Sequence, residues 1–268
     1  MPEEKKESQN RNSSVNSVVR ALDILEYLTY ASEPVGVSAI SRHLAINRTT
    51  TYSLVNALIK KRYITKLDDG KYKVTSRLLE LGTVFQDKFP LTQLVKMSGF
   101  PFLNDYKCVC KLTILEDNKR AVIIFSRSSE DELFHLPLGY SYPLHTSASG
   151  KVLLGYSSRA VVDEYIATND FKQYTENTIT DREQFRRELE NVRENGYATD
   201  ICEYDKDLVC FAAPVMNSAG VIAAITVSGR PEYMLAHRDR LVSDIMSYTR
   251  SLSLKSGYNH AHRHRFDE

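Results

Sequence analysis

No run in these 268 residues approaches the roughly 20 continuous apolar residues that a bilayer-spanning helix needs. Nor does the amino end, MPEEKKESQN, carry the apolar core of a secretory signal. Cysteine is scarce: Cys108, Cys110, Cys202 and Cys210 are the four present, and they form no disulfide-rich pattern. Internal repeats and low-complexity segments are missing as well. What remains is a chain with an ordinary 42% hydrophobic fraction, long for one domain and comfortable for two. These absences predict a soluble, cytosolic protein without a membrane partner.

Net charge is +1 and argues for nothing by itself, but its distribution is uneven. Between Asn10 and Glu80 eleven basic residues stand against six acidic ones, a local charge of +5. The first nine residues contribute −1 and the remainder −3. A small basic module on a mildly acidic body suits a polyanion-binding head on a scaffold, although a solvated charged surface gives the same count.

Residues 1–14 are polar throughout, which predicts disorder. From Ser17, placed at the N-cap, an amphipathic helix carries Val18, Leu22, Leu25 and Leu28 on one face. Pro34 and Gly36 break it, and a short helix follows over Ser38–Leu44. After Ala45-Ile46-Asn47 a third helix is predicted over Thr49–Lys61, with Leu54, Val55, Leu58 and Ile59 inward and Asn47 or Arg48 at its start. Tyr63–Leu67 and Lys71–Thr75 flank Asp68-Asp69-Gly70, a strong hairpin signal because Gly70 tolerates positive φ. Three helices and a hairpin make a winged helix.

Ser76–Phe89 has helical spacing and stops before Pro90, reading as a linker helix; Leu91–Tyr106 reads as a second helical stretch. Strands then dominate: Cys108–Leu115 and Ala121–Ser126. Helices are predicted over Ala148–Leu154, Ser158–Thr168 and Asp181–Asn195. Val209–Pro214 and Val221–Ser228 are two more strands, and a final helix spans Glu232–Leu254. Strands and helices in this mixed order predict an α+β sheet domain.

Several segments carry a further signal. Ser17 to Leu25 reads S-x-x-R-A-L-x-I-L, and His145 to Lys151 reads HTSASGK. Asn177–Thr180, Asn195–Asp200, Cys210–Val215 and Ala223–Gly229 follow. In this order and spacing the segments resemble the IclR family of bacterial regulators over nearly the whole chain. The resemblance implies an N-terminal winged helix-turn-helix over 15–75, a linker helix over 76–90 and a mixed α/β, GAF-like effector-binding domain over 91–257, with tails at 1–14 and 258–268. It implies no enzymatic activity and no cofactor. Ser53 stands where the family commonly has Arg, Arg62 replaces a frequent Gly that ends the third helix, and Asp207 takes a frequent Gly position.

A recognition helix presents side chains to base edges while basic residues hold phosphates. The polar positions of the third helix are Arg48, Thr49, Thr50, Tyr52, Ser53 and Asn56. Arg pairs bidentately with guanine and Asn with adenine. Lys71 and Lys73 alternate along a strand and so share a face for phosphate or minor-groove contact. Arg20 and Arg42 read as backbone clamps. The alternative for any one of these, taken alone, is a solvated surface residue. One head makes few base contacts, so a dimer or dimer of dimers on an inverted-repeat operator in double-stranded DNA is expected.

In the body, Ala148 and Ser149 open a helix whose amides can receive an anion. The family arrangement would bring Asp200, Cys210, Thr226 and Ser228 to the same cavity, which in the family takes small organic or aromatic acids. Asp200 sits awkwardly beside an anion: it must accept from a ligand hydroxyl, be protonated or pair with a base. Enzyme readings fare worse. His145 occupies the first Gly position of a phosphate loop and Val152 its Ser/Thr, and no nucleophile elbow surrounds Ser147 or Ser149. Cys108 and Cys110 share a face of an apolar strand, as buried structural cysteines do. His260, His262 and His264 belong to a polar tail, with no metal site expected. The alternative is a small-molecule-binding or catalytic domain whose winged helix serves protein contact.

Overall fold

The structure, a computed structural model, describes the backbone over residues 3–128 and 137–258, with side chains from residue 16. The histidines at 260, 262 and 264 lie outside the described residues. The chain divides into two compact units, residues 1–88 and 89–268.

The first unit opens with α1 (Glu3–Tyr30), followed by β1 (Val35–Gly36), α2 (Val37–His43), α3 (Arg48–Lys60), β2 (Ile64–Lys66), β3 (Lys71–Val74) and α4 (Arg77–Asp87). The backbone is helical from Glu3, so the disorder expected over 1–14 is corrected for residues 3–14, and Ser17 lies inside the helix instead of at its N-cap. Polarity speaks to burial, whereas Glu, Lys, Gln and Arg, abundant here, are good helix formers regardless of what they bury. Ile24, Leu28, Ile40, Val55, Leu58, Ile64 and Tyr72 form the core of this unit. The hairpin pairs Ile64 with Val74 and Lys66 with Tyr72, and β1 adds a third strand on the far side of β3. Gly70 turns the hairpin at φ +82°, as its Asp-Gly signature requires. Arg62 holds φ +65° just past α3, which accounts physically for the glycine that the family often keeps there. The helix expected as a linker is α4, within the first unit, and none of its residues is buried; Leu79, Leu81, Val84 and Phe85 are exposed.

The second unit comprises α5 (Pro90–Ser98), β4 (Val109–Glu116), β5 (Arg120–Ser128), β6 (Ser141–Pro143), α6 (Ala148–Gly155), α7 (Arg159–Thr168), α8 (Arg182–Asn195), β7 (Ala198–Ile201), β8 (Val209–Asn217), β9 (Gly220–Gly229), α9 (Pro231–Ala236) and α10 (Arg238–Lys255). Two expected helices are shorter. The one expected over Leu91–Tyr106 ends at Ser98, because Gly99 turns to positive φ and Pro101 disfavours helical geometry at Phe100. The one expected over Glu232–Leu254 breaks at His237 into α9 and α10.

Six antiparallel strands form one sheet in the order β6-β5-β4-β9-β8-β7. One face, with Cys108, Cys110, Leu112, Phe211, Ile225 and Val227, packs against α5, α9 and α10. The opposite face packs Cys210, Ala212 and Ala224 against α6, α7 and α8. That second face also carries buried Lys111, Thr113, Asp200, Thr226 and Ser228. Polar groups in a core must find partners, so this face is where chemistry is to be sought.

Every residue of α6 is buried. Ser147 caps it, its hydroxyl accepting from the Gly150 amide at 3.1 Å. A Cβ on Gly150 would stand 2.5 Å from the Leu144 Cα and backbone oxygen, so only glycine lets the preceding turn fold back onto the helix. Gly150→Ala is therefore expected to cost about 1–3 kcal/mol by overpacking against backbone that cannot yield. Denaturant unfolding of the full chain checks this, and an unchanged midpoint would mean that the turn relaxes freely.

Candidate DNA-reading face and ligand cavity

In the first unit, Asn47 takes the N-cap of α3, its side chain accepting from the Thr50 amide at 2.8 Å. Thr51, Leu54, Val55 and Leu58 turn inward. Arg48, Thr49, Tyr52, Ser53 and Asn56 are exposed, and their three- and four-residue spacing places them on one face. Thr50 is half-buried at the edge of that face. Arg42 is exposed on α2 and Arg20 half-buried on α1. Lys71 and Lys73 are exposed on either side of buried Tyr72, sharing the outer face of β3 as alternation requires. Lys71 forms an ion pair with Asp69 at 3.1 Å, both about half exposed, a contact of little strength in water.

In the second unit, Ala148, Ser149, Asp200, Cys210 and Thr226 line one cavity of about 10 Å³, room for about one water. Strand register explains the meeting: Ser228 pairs with Cys210 and Cys210 with Asp200, while Thr226 pairs with Lys111. Ser228 is buried in the same row without lining the cavity, and its hydroxyl accepts from Lys111 at 3.1 Å. Lys111, Tyr142, Ser147 and Leu208 complete the lining and were not anticipated. The missed signal is a lone lysine in the apolar run around Cys110 and Leu112, at a strand position that alternation turns to the α6 side.

Two buried lysines serve this region differently. Lys151, 1% exposed, donates to Glu188 Oε1 at 3.2 Å, Glu203 Oε1 at 2.7 Å and the Thr199 carbonyl at 2.9 Å. An ammonium has three N–H donors, so Lys151 is fully engaged in tying α6 to α8, to β7 and to the turn after β7. Lys111, 3% exposed, donates to Ser228 Oγ and, at 3.3 Å, to the Tyr142 hydroxyl. Burial pulls its pKa down, with Cys210 and Asp200 nearby opposing. Tyr140 and Tyr204 join by their hydroxyls at 2.7 Å and both pack edge-on against Tyr142, backing this wall with aromatic rings.

Asp200 accepts from the Glu203 amide at 2.8 Å. Burial first, and the Glu203 carboxyl second, push it up to about 7. Cys210 is pushed up to about 12 by burial and by Asp200. The Thr226 hydroxyl is buried and has no hydrogen-bond partner among the described residues. Among those residues no group of three or more His, Cys, Asp or Glu could hold a metal.

Because the Asp200 pKa rises from 3.8 to about 7 on folding, the folded protein keeps a proton that the unfolded chain releases between those values. Stability from this group is full below the unfolded pKa and is lost as pH rises through the folded one, by up to about 1.4 kcal/mol per pH unit. Asp200→Asn should flatten the stability profile across pH 4 to 7. Urea unfolding of both proteins at several pH values checks it; parallel profiles would show that Asp200 is ionised throughout.

Comparison with known proteins agrees with this geometry. The family description "Bacterial transcriptional regulator IclR C-terminal" matches residues 103–254, and "IclR helix-turn-helix domain" matches residues 17–68. The chain is 29% identical over 249 residues to the regulator RhmR of Escherichia coli, covering 92% of this chain and 95% of that protein. It is 28% identical over 252 residues to KdgR of Dickeya chrysanthemi, covering 88% and 81%. Among solved structures, the Thermotoga maritima IclR superposes with a TM-score of 0.79 at 24% identity, covering 91% of this chain and all of that one. An IclR homolog from Microbacterium hydrocarbonoxydans, complexed with 4-hydroxybenzoate, superposes with a TM-score of 0.75 at 20% identity, covering 89% and 98%. Among the described residues no helix is long and apolar enough to cross a membrane. With both parts of the family pattern matched in order, one on the winged helix and one on the cavity-bearing sheet domain, the chain belongs to the IclR family of DNA-binding transcriptional regulators.

Proposed function

We propose that this regulator binds an inverted-repeat operator as a dimer or dimer of dimers, and that a small organic or aromatic acid in the second unit tunes that binding. The observation that carries the ligand half is the buried, unpartnered Thr226 hydroxyl in a cavity at the amino end of α6. A buried hydroxyl without a partner is costly, and a ligand oxygen would relieve it. Ala148 and Ser149 supply amides at a helix start, where anions are stabilised. The complex of the Microbacterium relative with 4-hydroxybenzoate supports the same class of ligand. Asp200, whose pKa burial raises to about 7, would serve a ligand hydroxyl.

The DNA half rests on the exposed polar face of α3, with Arg48, Thr49, Tyr52, Ser53 and Asn56 toward bases, Thr50 beside them, and Arg20, Arg42, Lys71 and Lys73 toward phosphates. Exposed Val18, Val19 and Leu22 on α1, with the apolar residues of α4, supply a surface for self-association.

Neutralising Lys71 and Lys73 together should weaken binding to every sequence and flatten the log–log salt dependence by about two, at about 0.9 per phosphate. Arg48→Ala should instead cost about 1–3 kcal/mol on the operator and little on random duplex. Equal losses on both would reassign Arg48 to the backbone.

By linkage, ligand and operator must alter each other's affinity by the same factor. Titrating 4-hydroxybenzoate and a panel of small acids with and without DNA from the chain's own upstream region measures that factor. Equal affinities would make the cavity a passenger, since a ligand indifferent to both states shifts neither.

A further inference from the structure

Building on the acid-binding reading above, we infer that Lys111 sets the charge of the ligand: the cavity takes an acid with a single anionic group, seated on the Lys111 ammonium. The argument starts from the unequal state of the two buried lysines. Lys151 spends all three donors on two carboxylates and a carbonyl. Lys111 meets only neutral oxygens, Ser228 Oγ and the Tyr142 hydroxyl. That leaves one N–H of Lys111 without a hydrogen-bond partner, and no carboxylate lies in ion-pair range, among the described residues. A buried ammonium with no carboxylate paired directly to it is expensive, and the lowered pKa of Lys111 shows burial outweighing the attraction of Cys210 and Asp200. An anion brought into the cavity supplies what the protein withholds.

The neighbours of Lys111 fit a carboxylate. Strand register places Ser126 on one side of it and Thr226 on the other, in a row across β5, β4 and β9. Directly paired residues on one sheet face stand about 4.5–5.5 Å apart at Cβ, within reach of a shared ligand group. Both hydroxyls in this row are buried atoms without a partner among the described residues. Of the two, Thr226 lines the cavity and Ser126 does not, so the idle Thr226 hydroxyl and the Lys111 ammonium form the receptor for one carboxylate.

The rest of the lining argues against a second anionic group. Asp200, Cys210, Tyr142, Ser147, Ser149, Ala148 and Leu208 offer no further cation. Lys151 is nearby but saturated. A second carboxylate would be desolvated with no cation of its own to pair with, a cost that the cavity gives it nothing to offset.

The test uses the full chain and a panel of paired probes: 4-hydroxybenzoate, benzoate, pyruvate and lactate, their amides, and the dicarboxylates phthalate and malate. Isothermal titration gives affinities, and thermal unfolding of the unliganded protein reports the fold. Lys111→Met should leave unliganded stability unchanged or raised, since it removes an unpaired buried charge. The same change should weaken the bound monocarboxylate by about 10- to 100-fold, the range for a charge-assisted hydrogen bond, and Lys111→Arg should recover part of that loss. Amides should bind weakly, and equally to both proteins. Monocarboxylates that bind Lys111→Met as tightly as the wild type would overturn the Lys111 assignment and leave the acid-binding reading intact. Dicarboxylates binding as tightly as monocarboxylates would overturn the single-charge rule. Failure of every acid to bind the wild type would overturn both the reading and this inference.

Discussion

The interior position of α6 depends on the Lys151 ammonium. A helix with every residue buried has no solvated face on which to place a charged side chain, yet this one carries a lysine in its first turn. Two carboxylates and a carbonyl take up that charge, and each comes from a different place: Glu188 on α8, Thr199 on β7 and Glu203 in the turn beyond it. Removing either side of such a cluster leaves an uncompensated charge in the core, so the helix, the edge strand and the turn hold one another in place. Gly150 completes the fit by admitting the Leu144 backbone against the helix. The amino end of α6 is thereby fixed against the sheet.

Because α6 is fixed, the sheet face beneath it becomes a site. Alternation sends Lys111 and Thr113 of β4, Thr226 and Ser228 of β9, Cys210 of β8 and Asp200 of β7 to the same side. Most sheet faces covered by helices bury apolar side chains alone. Here hydroxyls, a thiol, a carboxyl and an ammonium are packed together with few of their charges compensated by one another. The result is a cavity whose acid holds its proton more tightly than usual and whose base holds its proton less tightly. The cavity has room for about one water.

The winged helix solves a simpler problem. Its third helix divides cleanly, with Thr51, Leu54, Val55 and Leu58 inward and the polar positions outward. The Asn47 cap sets where that helix starts and so which side chains occupy its first turn. Tyr72 anchors the wing by its ring, leaving the flanking lysines at the surface.

Much of this architecture is legible in local periodicity. The three-helix head, the Asp-Gly hairpin, the β4–β5 and β8–β9 pairs and the polar face of α3 follow from spacing and turn chemistry, which neighbouring residues decide among themselves. Two helix lengths were misjudged, at Gly99-Phe100-Pro101 and at His237, where a break costs little and periodicity runs on across it. The start of α1 was misjudged because polar residues argue about burial and say less about backbone. Five of the six expected cavity residues line one space, and the sixth stands in the same row. What only tertiary structure decided is the electrical state of that space: Lys111 without a directly paired carboxylate among the described residues, Lys151 with two, Asp200 raised by burial and by Glu203. Those states depend on distances between residues far apart in the chain and on the exclusion of water around them. A pattern read along the sequence measures neither, because desolvation and Coulomb energy are properties of the folded surroundings.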